Sequence, residues 1–193
     1  MRLLVILLST ISCSMAVATT NLTGSVDRDA YRVYLKLNSK CSRYLIETTT
    51  ADAAQNLKKL GSGDTLTGTG TLDHENCVAA VSNIDYVGLK KMLGYWYSND
   101  GIINVKDFEC MSYYPINLKN FQNAPEYTVA NPINYRYSVT PSDGREWVLF
   151  LSDSTSTSFA TIQFNKDSAT MKIYDSESGK INKVLKLKKW NNL

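Results

Sequence analysis

His74 is the only histidine in a chain of 193 residues. That scarcity excludes clustered imidazole metal sites, and a serine or cysteine nucleophile would have this one ring as its base. No Gly-x-Ser-x-Gly elbow precedes a helix, so the hydrolase arrangement that needs one is absent as well. Charge of one sign is also lacking. The 21 Lys and Arg face 18 Asp and Glu, a net +3, which is no general nucleic-acid signature. After the first residues, no run is apolar enough to span a bilayer.

What is present begins with a leader. Met1-Arg2 supplies a positive start, Leu3 to Leu8 an apolar core, and Ala16-Val17-Ala18 a small-x-small cleavage site. This reads as a secretory signal over residues 1–18, so the expectation is an exported protein, periplasmic or extracellular. A rival reading takes Thr10-Ile11-Ser12-Cys13 as a lipobox. Cys13 would then be lipidated, giving an envelope lipoprotein and the only expected route to a membrane. Asn21-Leu22-Thr23 is a glycosylation sequon that matters only in a eukaryotic host.

Cleavage after Ala18 leaves Cys41, Cys77 and Cys110. Export favours oxidation, and a Cys41–Cys77 disulfide is expected because both residues border strands in the first half. The alternative is three buried, reduced thiols.

Twelve tyrosines and many Thr and Ser argue for strands. Leu22–Val26 is expected as the first. Tyr31, Val33, Leu35 and Leu37 alternate with Arg32, Tyr34, Lys36 and Asn38, predicting a strand with Arg32, Tyr34 and Lys36 on its polar face. Residues 43–48 form the next strand. Ala51, Ala54, Leu57 and Leu60 then mark one helical face, with Thr50 as N-cap. Gly61 is expected to end the helix in the left-handed region. Strands follow over 65–72 and from Cys77 towards Tyr86, with Gly68 and Gly70 where the sheet bends or another backbone packs close.

Three strands, a helix ending in Gly-x-Gly-Asp, and two strands: over residues 20–88 this order resembles an OB-fold, a small five-stranded barrel with one helix. The resemblance implies a binding face on the second and third strands, where Arg32, Tyr34 and Lys36 would contact a sugar chain or another protein. Export argues against nucleic acid. Asp73-His74-Glu75 suits an exposed turn better than a metal corner, since adjacent strand residues point to opposite faces. No metal or cofactor is expected.

The second half, residues 89–193, begins with a short turn at Leu89–Leu93. Asn99-Asp100-Gly101 is a hairpin turn. Strands are expected over 103–108, 110–114, 135–139, 147–151, 160–164, 169–174 and 181–187, with a long loop from Pro115 to Pro132. The loop's Asn120–Asn131 portion is a candidate partner contact. Lys183, Lys186, Lys188 and Lys189 are expected along a basic sheet edge. Asp143, Glu146, Asp153, Asp175 and Glu177 fall in turns, where acids serve the backbone. Gly94-Tyr95-Trp96 near the start of this meander resembles the Gly-x-Trp of lipocalin-like domains, which implies that Trp96 plugs the closed end of a barrel or sandwich.

The expected class is therefore mainly β, two small antiparallel barrels joined near Gly88–Leu93. The expected function is non-enzymatic binding or interaction with a protein or surface glycan. The alternative is a carrier with a small apolar ligand in the second barrel, lined by Trp96, Tyr113, Tyr137 and Trp147, with Tyr95 and Tyr135 beside them. A filled interior would exclude it.

Overall fold

The computed structural model describes residues 19–115 and 131–190. The leader with Cys13, and residues 120–130 of the long loop, lie outside the described residues. Among those described, no helix is long and apolar enough to cross a membrane.

The first half contains β1 (Thr20–Arg28), β2 (Val33–Lys36), β3 (Tyr44–Thr48), α1 (Ala51–Lys59), β4 (Thr65–Asp73) and β5 (Val78–Gly88). β1 pairs antiparallel with β2 and β4, β2 with β3, and β4 with β5. β3 and β5 pair in parallel, a correction to the all-antiparallel expectation. Parallel neighbours need a long crossover, and α1 with β4 supplies it.

Thr50 caps α1: its Oγ1 accepts from the Ala53 N–H at 3.2 Å. Ala53 and Leu57 are buried. The expected glycine stop at Gly61 is not what ends the helix. Leu60 is the C-cap, in extended conformation, and the left-handed glycine is Gly63, at φ +88°. Side chains replace the glycine device. Arg28 donates to the Leu57 and Leu60 carbonyls, and the Asp64 carboxylate accepts from the Gly61 N–H at 2.7 Å. Orphan end groups satisfied this way need no left-handed turn.

Tyr31 is a second correction. It is 95% exposed in the β1–β2 turn, where Asp29 accepts from the Tyr31 and Arg32 backbone N–H groups. β2 starts only at Val33. The disulfide joins Cys41 and Cys77, their Cα atoms 5.9 Å apart, and Cys110 is free.

After a 3-10 turn at Lys90–Met92 come β6 (Gly94–Ser98), β7 (Gly101–Val105), β8 (Cys110–Pro115), β9 (Ile133–Thr140), β10 (Trp147–Ser152), β11 (Thr157–Asn165), β12 (Ser168–Tyr174) and β13 (Ile181–Lys189). Each pairs antiparallel with the next, and β13 returns to β6 through Lys188↔Tyr97 and Lys189↔Trp96. The result is a closed eight-stranded antiparallel barrel with further strands beside it. The expected basic edge is therefore corrected: β13 has a neighbour on both sides. Val87↔Val139 links β5 to β9, and one apolar core runs from Leu22 and Leu57 to Trp96 and Leu149.

The glycines of β4 mark irregular pairing. Its register with β5 shifts at Thr67/Gly68 and at Thr69/Gly70, as at a β-bulge. A Cβ at Gly68 would lie 2.0 Å from the Asn83 carbonyl oxygen. Gly68→Ala should therefore cost about 2–4 kcal/mol in urea denaturation, whereas Gly144→Ala, in open surroundings, should stay within about 0.5 kcal/mol. Equal effects would show that the bulge is not tight. Breaking the disulfide by Cys41→Ala with Cys77→Ala should cost roughly 3–4 kcal/mol, read from the same curves.

Candidate functional site

Alternation along the barrel strands decides what faces inward. Trp147, Leu149 and Leu151 of β10 are buried, as are Ala160 and Ile162 of β11 and Ala169 and Met171 of β12. On β13 the inward set is Lys183, Leu185, Leu187 and Lys189: apolar in the middle, cationic at both ends.

One end of the barrel is plugged. Trp96 is 3% exposed, and its indole N–H donates to the Met92 carbonyl at 2.7 Å. The Trp96 ring packs against Phe164, centroids 5.9 Å apart. Three ammonium groups cover this end. Lys189 lies 5.3 Å from the Trp96 ring centre and donates to the Lys91 carbonyl. Lys91 lies 4.5 Å from Phe164, and Lys59 5.7 Å from Trp147. Such contacts are worth about 0.5–2 kcal/mol each, more where water is excluded. Burial pulls the Lys91 ammonium below the ordinary lysine pKa, the charge of Asp64 partly restoring it.

Among the described residues, the other end keeps a cavity. A cavity of about 210 Å³ is lined by residues from seven successive strands, among them Ile103, Met111, Tyr113, Leu151, Met171 and Leu185. Its rim holds Tyr135, Ser158 and Lys183. The Tyr113 hydroxyl donates to the Asp100 carbonyl at 2.8 Å, tying the β6–β7 hairpin to the rim. The Lys183 ammonium is 3.6 Å from the Asp100 carboxylate. Both side chains are nearly half exposed, and such a pair is worth about 0–1 kcal/mol. Burial raises the Tyr135 phenol above the ordinary tyrosine range, helped by the charge of Asp153 and by Tyr113. It therefore stays a hydrogen-bond donor.

Of the aromatic residues expected to line a cavity, Tyr113 and Tyr135 do so. Trp96, Tyr137 and Trp147 fill the plugged half. The Tyr137 hydroxyl donates to the Asp107 carbonyl at 2.7 Å, and burial raises its pKa strongly. Tyr95 lies outside, half exposed. Met111, Met171 and Lys183 escape a search for aromatic linings. The period-two pattern of β13 is the signal that places Lys183 inward.

Arg32, Tyr34 and Lys36 do not form a free row. Arg32 precedes β2, in the turn. Arg43 stacks over the Tyr34 ring at 4.1 Å, and Lys36 pairs with Asp27 at 2.9 Å. The Lys36 hydrogen bond holds the Asp27 carboxyl below its ordinary pKa. Asp73 caps its own turn, accepting from the Glu75 and Asn76 N–H groups, and His74 Nδ1 lies 2.8 Å from the Tyr44 hydroxyl. Among the described residues no three His, Cys, Asp or Glu side chains gather as metal ligands. The later acids also have local tasks: Glu146 pairs with Lys172, while Asp153 and Asp175 accept from N–H groups of their own turns.

No family model matches the chain, and no curated protein and no solved structure matches it with significance.

Trp96→Phe keeps the ring in the plug and removes the donor, leaving the Met92 carbonyl unpaired. It should cost about 1–3 kcal/mol in urea denaturation, and an unchanged midpoint would mean the indole hydrogen bond does not anchor the plug.

Proposed function

We propose that this is an exported, non-enzymatic binding protein whose eight-stranded barrel is the carrier of a small apolar ligand. The observation behind the reading is the half-plugged, half-hollow interior: about 210 Å³ of apolar space opening towards the hairpin that holds Asp100. An apolar cavity of about 150 Å³ takes benzene, so this one suits a substituted ring or a short alkyl chain. Two flexible methionines, Met111 and Met171, would adapt the walls to either shape.

The finer architecture is part of the same proposal. Residues 20–88 are read as an OB-like barrel, supported by a circuit of pairings that runs β1, β2, β3, β5, β4 and back to β1, with α1 between the third and fourth strands. Residues 89–193 are read as a lipocalin-like meander, supported by nearest-neighbour pairing and by the position of Trp96 at one end. Export is supported by the leader and is compatible with the disulfide.

A second reading, contact with a protein or a surface glycan, draws on a different place. Tyr95, Tyr97, Val184 and Trp190 are exposed on the outer wall where β6 meets β13, beside Lys186 and Lys188. The Trp190 ring meets Tyr97 edge-on at 6.4 Å.

Calorimetric titration with 1-octanol separates the two. A buried octyl chain at about 0.8 kcal/mol per methylene predicts a Kd on the order of 0.01–0.1 mM. Ile173→Trp, which fills the cavity, should remove this binding and leave the thermal midpoint within a few degrees. Binding that survives in Ile173→Trp, or no binding to the parent protein, would overturn the carrier reading and favour the outer wall.

A further inference from the structure

We infer that the barrel's ligand is a small amphipathic anion, an alkyl or aryl carboxylate, held with its charged head at Lys183 and its apolar body inside. The inference rests on the carrier reading and specifies what the cavity would select.

Among the described residues, β13 carries a lysine at each end of its inward face, and the two are engaged differently. Lys189 covers the Trp96 ring and donates to the Lys91 carbonyl. Lys183 has a lesser set of contacts: the Asp100 carboxylate at 3.6 Å and the edge of reach to the Tyr113 ring, 6.0 Å from its centre. Asp100 sits in a two-residue hairpin turn with its side chain 48% exposed, so it can turn to water when a better partner arrives.

A ligand entering the cavity covers Lys183, because that residue lines it. A ligand with no polar head would strip water from the ammonium and return nothing, which is unfavourable, and a neutral hydroxyl would return a weaker hydrogen bond than a charged acceptor. A carboxylate would replace that water with a charge-assisted hydrogen bond. The neighbouring hydroxyls fit the same head group. Tyr135 and Ser158 line the cavity, and among the described residues neither is engaged in another side-chain hydrogen bond. Among the described residues, Asp100 is the acid paired with Lys183, and Asp153 acts on Tyr135. Asp153 is already satisfied by the N–H groups of Thr155 and Ser156 and lies outside the lining. Deeper in, Ile103, Met111, Met171 and Leu185 offer no polar side chain. The site is thus polarised, one cation and two hydroxyls at the rim above an apolar floor, and an amphipathic anion has the matching polarity.

The test is a calorimetric comparison of octanoate and 1-octanol at neutral pH, on the full protein and on Lys183→Met, Lys183→Arg and Ile173→Trp. Octanoate should bind the parent at least about tenfold more tightly than octanol. Lys183→Met should abolish that preference while retaining octanol binding, and Lys183→Arg should restore it. Ile173→Trp should remove both ligands, which separates the cavity from lysines on the outer wall. Equal affinity of the two ligands for the parent, or a preference that survives Lys183→Met, would overturn the inference and leave the carrier reading standing. Failure of both ligands to bind would overturn the two together.

Discussion

Closure of the barrel is the constraint from which the rest follows. The seam is short. Two registered pairs join β13 to β6, and the Trp190 N–H extends the contact by donating to the Tyr95 carbonyl at 2.8 Å. Once that seam forms, the sheet around the barrel has no free edge there and every second residue of eight strands is committed to a shared interior. The width of that interior is then set by the strands and not by the side chains. Side chains fill it or leave it empty. Here they do both: two tryptophans and Phe164 occupy one end, while two methionines, a serine and branched aliphatic side chains line a space at the other.

The plugged end is also where the two halves of the chain meet, and one buried carboxylate organises the meeting. Asp64 is 5% exposed. It accepts from the Gly61 N–H after α1 and from the Lys90 N–H at the start of the 3-10 turn, both at 2.7 Å. A buried carboxylate is costly unless its lone pairs are filled, and these backbone donors fill them. The consequence is positional. The turn that follows holds Lys91 and Met92, which supply the cation over Phe164 and the carbonyl that receives the Trp96 indole. The joint after α1 thus fixes the cap of the barrel about thirty residues further along the chain, in a way that no residue of the barrel does by itself.

Local features were legible in the sequence because their causes are local. Thr50 caps the helix it precedes, Asn99-Asp100-Gly101 turns the hairpin it occupies, and the alternation of Trp147, Leu149 and Leu151 states its own face. Cys41 and Cys77 were readable because each borders a strand, and β3 and β5 prove to be neighbours. The misreadings share a different cause. Gly61 looked like a helix stop because its replacement, Arg28, lies some thirty residues earlier. Tyr31 matched the inward period of β2, but Asp29 pulls it into a turn before the strand begins. The lysines of β13 looked like an edge because nothing local reveals that β6 pairs with them. Cavity volume was illegible for the same reason: it depends on closure and on which end is filled.

The two inward lysines of β13 are therefore the most informative pair in the barrel. They share one strand, one face and one residue type, and they differ only in which end of the closed sheet they reach. At the plugged end an ammonium lies over an aromatic ring and a carbonyl completes its hydrogen bonding, so Lys189 acts as part of the fold. At the other end the equivalent group meets a half-exposed aspartate at 3.6 Å and lines a cavity that Tyr135 and Ser158 also line. Residue type cannot account for that difference, since it is the same in both places. Filling can. A barrel plugged at one end leaves an inward cation at the other with a half-exposed carboxylate and a ring edge as its partners among the described residues, and this is the ground on which the open end, with Lys183 on its rim, is proposed as a binding site.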